Sequence, residues 1–104
     1  MVVGLGGIAV EAMHDVSFRM LPVGPDDARD MLNELRGKAM LAEFRGRPAP
    51  DVDALVAAMC GLSTIFLDHR EALRDLEINP LMVLAEGAGV RAVDVRCIAD
   101  QPHA

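Results

Sequence analysis

The sequence predicts an α+β fold in which a mainly antiparallel sheet packs with helices, and three observations support this class. Residues 8–20 alternate between apolar and polar side chains, which is the pattern of strands with two different faces. Residues 25–35 and 52–66 instead carry apolar side chains at the three- and four-residue spacing of helices. Near the end of the chain, two apolar segments flank a Glu-Gly-Ala-Gly turn at 86–89, which is typical of a β-hairpin.

The length and composition indicate one small domain. A chain of 104 residues buries only a modest core, although its hydrophobic fraction of 52% is ample for a globular fold. Aromatic residues make up only 3%, so flexible aliphatic and methionine side chains must fill the core. We therefore expect marginal stability or dependence on a neighbouring domain. No linker or repeat divides residues 1–104, which we treat as one unit.

The charge and the cysteines exclude several classes of function. A formal net charge of −6 argues against a nucleic-acid or anionic-membrane partner, because both are themselves negatively charged. Cys60 and Cys97 form no Cys-x-x-Cys or Cys/His pattern, which argues against a zinc site and a disulfide framework. Residues 1–13 lack the basic start of a signal peptide, and no apolar run is long enough to span a bilayer. A cytoplasmic location is therefore expected.

The predicted strand region at residues 8–20 has two chemically different faces. The apolar face comprises Val10, Ala12, His14, Val16, Phe18 and Met20, and the polar face comprises Glu11, Met13, Asp15, Ser17 and Arg19. The simplest interpretation is that the polar face is solvated. A ligand-facing role for Glu11 and Arg19 is the alternative, and it depends on the family resemblance described below.

Boundary signals place helices between the two strand regions. Pro25, followed by two acidic residues, marks the start of the first helix, and Gly37 is a stop signal. A short helical stretch at 38–44 and an exposed basic loop at 45–50 follow. Asp51 then caps a longer helix with a core-facing stripe. This stripe comprises Val52, Leu55, Val56, Met59, Leu62 and Phe66.

The predicted hairpin brings three oxygen-bearing side chains together. If Leu84 pairs with Gly89, the antiparallel register places Asn79 opposite Asp94. Glu77 shares a face with Asn79, because residues two apart on a strand point the same way. Carboxylate and amide oxygens suit a hard divalent cation, and Mg²⁺ usually arrives with the phosphates of a nucleotide. A loop one residue longer would turn Asp94 to the other face, and solvated surface residues are the alternative interpretation.

Two other motifs carry no function in this interpretation. Residues 4–9 match the dinucleotide-binding pattern Gly-x-Gly-x-x-Gly/Ala, but only three residues precede them and a strand pattern follows, so the required strand–turn–helix context is missing. His14, His69 and His103 are scattered and have no nucleophile at a recognisable spacing, so no catalytic dyad is predicted.

Several segments carry a family resemblance in their order and spacing. They are Gly-Leu-Gly-Gly-Ile at 4–8, Asp-Val-Ser-Phe-Arg at 15–19, Glu-Leu-Arg-Gly at 34–37, Arg-Gly-Arg-Pro at 45–48, Leu-Glu-Ile-Asn-Pro-Leu at 76–81 and Val-Asp at 93–94. Together they resemble the C-terminal, metal-binding part of the ATP-grasp domain of ADP-forming acyl-CoA synthetases. This family includes ADP-forming acetate–CoA ligase and its relative, the succinyl-CoA synthetase β subunit. His14 departs from the family, which usually carries a lysine there.

The resemblance implies that Glu77, Asn79 and Asp94 hold Mg²⁺ against the phosphates of ATP or ADP. It also implies that the polar strand face, with Glu11 and Arg19, forms a wall of the nucleotide cleft. The upstream ATP-grasp half, the CoA-binding domain or subunit and the phosphohistidine have no counterpart in this sequence. We therefore expect a Mg-nucleotide half-site that needs these partners and is inactive alone.

A non-catalytic role is the alternative to this half-site. In it, the chain is a small α+β module that binds a partner through a strand edge. This alternative predicts an exposed apolar edge near residues 2–8 and a possible homo-oligomer.

Overall fold

A computed structural model of the chain describes residues 1–5, 15–43 and 45–100. Its elements in chain order are β1 (Val2–Gly4), β2 (Val16–Phe18), α1 (Pro25–Asn33), a short 3₁₀ helix (Lys38–Leu41), α2 (Val52–Asp68), β3 (Leu73–Ile78), β4 (Leu81–Val83), β5 (Val90–Ala92) and β6 (Val95–Ala99). Strands β1–β2, β3–β6 and β4–β5 form three two-stranded sheets, and each of these pairs is antiparallel. The predicted α+β class is confirmed.

Helix α1 begins where the sequence predicts and ends earlier. Pro25 occupies its first turn, and the Gly24 N–H donates a 3.0 Å hydrogen bond to the Asp27 carboxylate. The helix ends at Asn33, four residues before the predicted stop at Gly37. The turn after α1 leads directly into the 3₁₀ helix, which covers the first part of the short helical stretch predicted at 38–44.

The core lies between the two helices. Along α2, three of the six predicted stripe positions are buried and the other three are half-buried. They pack against the buried side of α1 and the residues that flank it. The buried apolar residues are Val23, Ala28, Met31, Leu32, Leu35, Leu55, Val56 and Met59. Within the described ranges, no helix is long and apolar enough to cross a membrane.

Strands β3 to β6 form one long hairpin, residues 73–99, which is interrupted between the two strand pairs. Its inner half is the β4–β5 pair, where Leu81 faces Ala92, and its outer half is the β3–β6 pair, where Glu77 faces Arg96. Both halves share one register from the turn as far as Asp75, and the register shifts between Asp75 and Leu73. The Leu84 N–H donates a 2.9 Å hydrogen bond to the Gly89 carbonyl, which confirms the predicted pairing at the turn. The interruption falls at Pro80, which has no N–H to donate to a ladder.

The two halves of the long hairpin differ in their support. In the inner half, Leu81, Val83 and Val90 are half-buried against the helical core. In the outer half, every residue of β6 is exposed. The residues at the interruption therefore lie where the hairpin leaves the core.

The faces of the antiparallel β1–β2 pair are arranged differently from the solvated polar face that the sequence allowed. The exposed fractions of Val16 and Phe18 are 50% and 71%, whereas those of Asp15 and Ser17 are 5% and 3%. The polar residues are buried because they are hydrogen-bonded: the Asp15 carboxylate accepts from the Arg36 N–H at 2.7 Å and from the next N–H at 2.9 Å. A fully solvated polar face is therefore wrong for Asp15 and Ser17.

Candidate functional site

The predicted pairing of Asn79 with Asp94 is present at the interruption of the long hairpin. The Asn79 N–H donates a 3.0 Å hydrogen bond to the Asp94 carbonyl, and the Val93 N–H donates one of the same length to Pro80. These two bonds carry the register of the inner half across the break into the outer half. The backbone relationship on which the metal hypothesis depends is therefore in place.

Glu77 and Asn79 lie on the same side of the hairpin. The Asn79 Nδ2 atom lies 3.4 Å from the Glu77 Oε1 atom, within reach of a weak hydrogen bond. This bond uses the amide nitrogen of Asn79, so its amide oxygen is not engaged in it. Both residues are accessible, since Asn79 is exposed and Glu77 is half-buried. For Asp94 the structure gives the backbone pairing, and its role as a metal ligand stays a prediction.

Arg96 lies next to this site and was not among the site residues predicted from the sequence. It faces Glu77 across the strands, and its Nη2 atom lies 3.3 Å from the Glu77 Oε2 atom. The side chains are 66% and 41% exposed, so solvent weakens this ion pair. The same register that pairs Asn79 with Asp94 identifies Arg96, because it places Arg96 opposite Glu77.

The chemistry of this patch suits an incomplete cation site. In the part of the chain that the structure describes, no group of three or more His, Cys, Asp or Glu side chains could hold a metal ion. The candidate set has only two carboxylates, and its third oxygen comes from an amide. A Mg²⁺ ion needs six oxygens, so phosphate and water oxygens must supply the rest. The residues present fit a metal shared with a nucleotide better than a metal held by protein alone.

Arg19, the second kind of candidate, contacts the end of α1. Its guanidinium pairs with the Glu34 carboxylate, with one further contact of 3.0 Å, and it also donates to the Phe18 carbonyl at 2.8 Å. The Ser17 hydroxyl donates a 2.6 Å hydrogen bond to Glu34. The hydrogen bond from Arg19, followed by that from Ser17, lowers the pKa of Glu34 to about 2. Glu11 lies outside the described residues.

Asp51 carries out a second task besides the predicted capping of α2. Its carboxylate accepts a 3.1 Å hydrogen bond from the Ala54 N–H, which is the cap. It also accepts from the N–H groups of Gly87, at 3.1 Å, and Gly89, at 2.8 Å, in the turn of the long hairpin. These bonds, with that from Ala54 the largest cause, lower the pKa of Asp51.

The turn has the backbone conformation that this contact requires. Gly87 and Gly89 have φ angles of +85° and +88°, a region that glycine enters without steric cost. The sequence signalled this conformation through its two glycines, but nothing in it identified Asp51 as their partner.

The chain matches an ATP-grasp domain family model over residues 1–98. It is 37% identical over 95 residues to the acetate–CoA ligase (ADP-forming) II subunit beta of Pyrococcus furiosus, and the match covers 91% of this chain and 40% of that protein. It is 38% identical over 96 residues to the acetate–CoA ligase (ADP-forming) of Methanocaldococcus jannaschii, covering 92% of this chain and 14% of that one.

Solved structures agree with this match. A crystal structure of a Pyrococcus horikoshii protein superposes with a TM-score of 0.90 at 34% identity, over 97% of this chain and 42% of that one. An acetyl-coenzyme A synthetase of Candidatus Korarchaeum cryptofilum, solved with coenzyme A and Mg-AMPPCP, gives a TM-score of 0.85 at 32% identity. That superposition covers 95% of this chain and 45% of the other.

The matches extend along nearly the whole of this chain but along less than half of each relative described. Three of the relatives described above are named as enzymes, two acetate–CoA ligases and an acetyl-coenzyme A synthetase, and the chain corresponds to a part of their ATP-grasp domain. The chain belongs to the ATP-grasp family, as a portion of the domain found in ADP-forming acyl-CoA synthetases.

Proposed function

We propose that the chain supplies the Mg-nucleotide half-site of an ADP-forming acyl-CoA synthetase, an acid–thiol ligase. The observation that supports this proposal most directly is the register of the long hairpin. It places Asn79 opposite Asp94 through a 3.0 Å backbone hydrogen bond, with Glu77 in contact with the Asn79 amide. The similarity to acetate–CoA ligases supports the reaction class.

In this proposal Glu77, Asn79 and Asp94 hold Mg²⁺ through carboxylate and amide oxygens. When bound, the ion neutralises charge on the phosphates of ATP or ADP while a phosphoryl group is transferred. Arg96 lies 3.3 Å from the Glu77 carboxylate, so a cation held by Glu77 would compete with this ion pair.

Glu11 and Arg19 are proposed as nucleotide-facing residues in a wall of the nucleotide cleft, as the family resemblance implies. The neighbouring polar residues Asp15 and Ser17 are buried against the end of α1 and the turn after it, so they do not belong to that wall. The ion pair with Glu34 holds the Arg19 guanidinium in place. The Arg19 side chain is 33% exposed, so it is also accessible. A held guanidinium is well suited to phosphate, because less side-chain freedom is lost on binding.

The remaining parts of the reaction belong to partners in this proposal. The chain spans 40% of the Pyrococcus furiosus subunit and 14% of the Methanocaldococcus jannaschii enzyme. We propose that the rest of an ATP-grasp domain and a CoA-binding domain or subunit complete the enzyme, that the chain is inactive alone, and that the assembly works in the cytoplasm.

A magnesium titration of the 104-residue chain tests the half-site. NMR shifts of the Asn79 side-chain amide are followed with Mg²⁺ alone and with Mg-ADP, for the native chain and for Asp94→Asn. We expect Asp94→Asn to weaken Mg²⁺ binding by about tenfold, as loss of a carboxylate ligand should. Asp68→Asn, at the exposed end of α2, makes the same charge change and should leave binding within about twofold. Equal weakening by both substitutions would reject the site.

A chimera tests the reaction class. The matching 95 residues of the Pyrococcus furiosus acetate–CoA ligase subunit beta are replaced by the corresponding segment of this chain, and ADP-forming activity is assayed with the partner subunit present. Activity that is lost again on Glu77→Gln supports the proposal. A folded chimera without activity, next to an active native enzyme in the same assay, contradicts it.

A partner-binding module is the second candidate, favoured by a specific observation. Val2 faces Phe18 in the β1–β2 strand pair, and their exposed fractions are 69% and 71%. An exposed apolar face of this kind is a docking or self-association surface in many proteins. Val2 lies within the apolar edge predicted at residues 2–8, whereas Val3 and Leu5 are half-buried against the core and residues 6–8 lie outside the described residues.

A further inference from the structure

We propose that Asp51 is a positioning residue for the candidate magnesium site. By tying the turn of the long hairpin to the start of α2, its carboxylate fixes the register that places Asn79 opposite Asp94. This inference rests on the proposed function, because it concerns how the same site is held in shape.

The contacts of Asp51 converge from two separate elements. One carboxylate oxygen, Oδ1, accepts from Ala54 in the first turn of α2, and the other, Oδ2, accepts from both Gly87 and Gly89. Asp51 itself is 9% exposed, and the three hydrogen bonds are partly buried. Three backbone donors on one buried carboxylate leave the group fully engaged.

Two backbone hydrogen bonds strengthen the same connection. The Asp51 N–H donates a 2.8 Å hydrogen bond to the Leu84 carbonyl, and the Glu86 N–H donates a 2.9 Å bond to the Ala49 carbonyl. The segment before α2 therefore pairs with one side of the turn while the Asp51 side chain binds the other. This arrangement fixes both the length and the conformation of the turn.

The turn acts on the site because the same residue register is found on both sides of the interruption. The Leu84 N–H to Gly89 carbonyl bond, at 2.9 Å, begins the same register that ends with the Asn79 N–H donating to Asp94. The two bonds are five residues apart, about 17 Å along a strand. A slip of one residue at the turn would move Asp94 to the opposite face from Asn79. Asp51 thus acts on the site from a distance, through the strands.

The test separates the N-cap role of Asp51 from its hydrogen bonds to the turn of the long hairpin. In the 104-residue chain, Asp51→Ser keeps an N-cap oxygen for Ala54 but removes the second carboxylate oxygen that binds the two glycines. Asp51→Asn keeps the shape but presents an amide N–H₂ towards one set of donors. Asp53→Ser, an exposed acidic residue in the same helical turn, is the matched control.

Amide hydrogen exchange measured by NMR is the first readout. We expect the N–H groups of Gly89 and Asn79 to exchange about tenfold faster or more in Asp51→Ser and Asp51→Asn, while the interior of α2 keeps its protection. Asp53→Ser should match the native chain. Unchanged exchange at Gly89 and Asn79 in both Asp51 variants would overturn the inference.

A measurement on the native chain covers the case in which the variants do not fold. Exchange in rising denaturant should show the N–H groups of Gly89, Asn79 and Ala54 opening together as one cooperative unit. Opening of Gly89 and Asn79 at a clearly lower free energy than Ala54 would overturn the inference equally.

The magnesium titration separates this inference from the proposed function. Native-like Mg²⁺ binding by Asp51→Ser, with a changed turn, leaves the half-site standing and rejects Asp51 as its positioning residue. Absence of Mg²⁺ binding by the native chain rejects the half-site. The exchange experiment then decides separately whether Asp51 sets the pairing of Asn79 with Asp94.

Discussion

Arg96 faces Glu77 on the adjacent strand, and its Nη2 atom lies 3.3 Å from the Glu77 Oε2 atom. A positive charge at this distance satisfies the carboxylate electrostatically in the absence of a metal. It also opposes the arrival of a cation at the same carboxylate. The ion pair and the proposed metal site are therefore in competition for Glu77.

Replacing Arg96 should strengthen cation binding. Arg96→Gln removes the competing charge, and an exposed ion pair of this kind is worth about 0.2–1 kcal/mol, so Mg²⁺ affinity should rise by about 1.5- to 5-fold. The measurement is the Mg²⁺ titration followed at the Asn79 side-chain amide. Arg74→Gln, which loses an ion pair with Asp100 on the outer half of the long hairpin, is the control. Weaker Mg²⁺ binding by Arg96→Gln would show that Arg96 supports the site.

The carboxyl of Glu34 should make stability depend on pH in the acidic range. Its pKa of about 2 lies below the ordinary value of 4.5, chiefly because of the hydrogen bond from Arg19 and then that from Ser17. A carboxyl whose pKa is depressed on folding stabilises the protein fully above its unfolded pKa, and this contribution is lost as the pH falls through the folded value.

Glu34→Gln should therefore lower the free energy of unfolding at pH 7, and the difference from the native chain should shrink between about pH 4.5 and pH 2. Urea unfolding at several pH values measures it. Glu71→Gln, in the exposed turn before β3, is the matched control. A Glu34→Gln difference that is constant from pH 7 to pH 2 contradicts the prediction.

Two glycines should respond oppositely to alanine. Gly61 is exposed within α2 and has no neighbouring atom within 4 Å of an added Cβ, so Gly61→Ala should stabilise the fold by about 0.5–1 kcal/mol. At Gly37 an added Cβ would overlap the Leu5 side chain and approach the Asp15 carboxylate to 3.3 Å.

Asp15 has little freedom to move, because two backbone N–H groups hold it. Gly37→Ala should therefore destabilise the fold by about 1 kcal/mol. Thermal and urea unfolding of both variants beside the native chain check the pair. The same sign of change in both would contradict this interpretation.

The exposed apolar face of the β1–β2 strand pair should promote self-association. Phe18→Ser removes its large apolar side chain, which is 71% exposed, and should shift the sedimentation coefficient of a concentrated sample towards that of a monomer. Ile65→Ser, with a 51% exposed side chain on α2, is the control. A native chain that sediments as a monomer at high concentration argues against the partner-binding candidate.

Local sequence signals predicted the parts of the fold that depend on neighbouring residues. The turn glycines placed Leu84 opposite Gly89, and from that pairing Asn79 opposite Asp94 followed. Asp51 was recognisable as a helix cap because its partner, Ala54, is three residues away. Each of these predictions is confirmed by a hydrogen bond.

Contacts between distant segments could not be predicted from local sequence signals. The bond from Gly89 to Asp51 spans 38 residues, and that from Gly37 to Asp15 spans 22. Alternation separated the two faces of the strand containing Ser17 but did not identify which face packs against α1. That choice depends on the hydrogen-bonding groups offered by Glu34 and the turn after it.

The uneven support of the long hairpin has a mechanical consequence. Its inner half packs against the helical core, while its outer half extends away from that core, and Pro80 and Val93 lie where the two halves meet. Bending of the outer half relative to the inner half would concentrate at this junction, where the proposed magnesium ligands lie. An ion bound at the junction would restrict this bending. Binding of the Mg-nucleotide and stiffening of the outer half would therefore occur together.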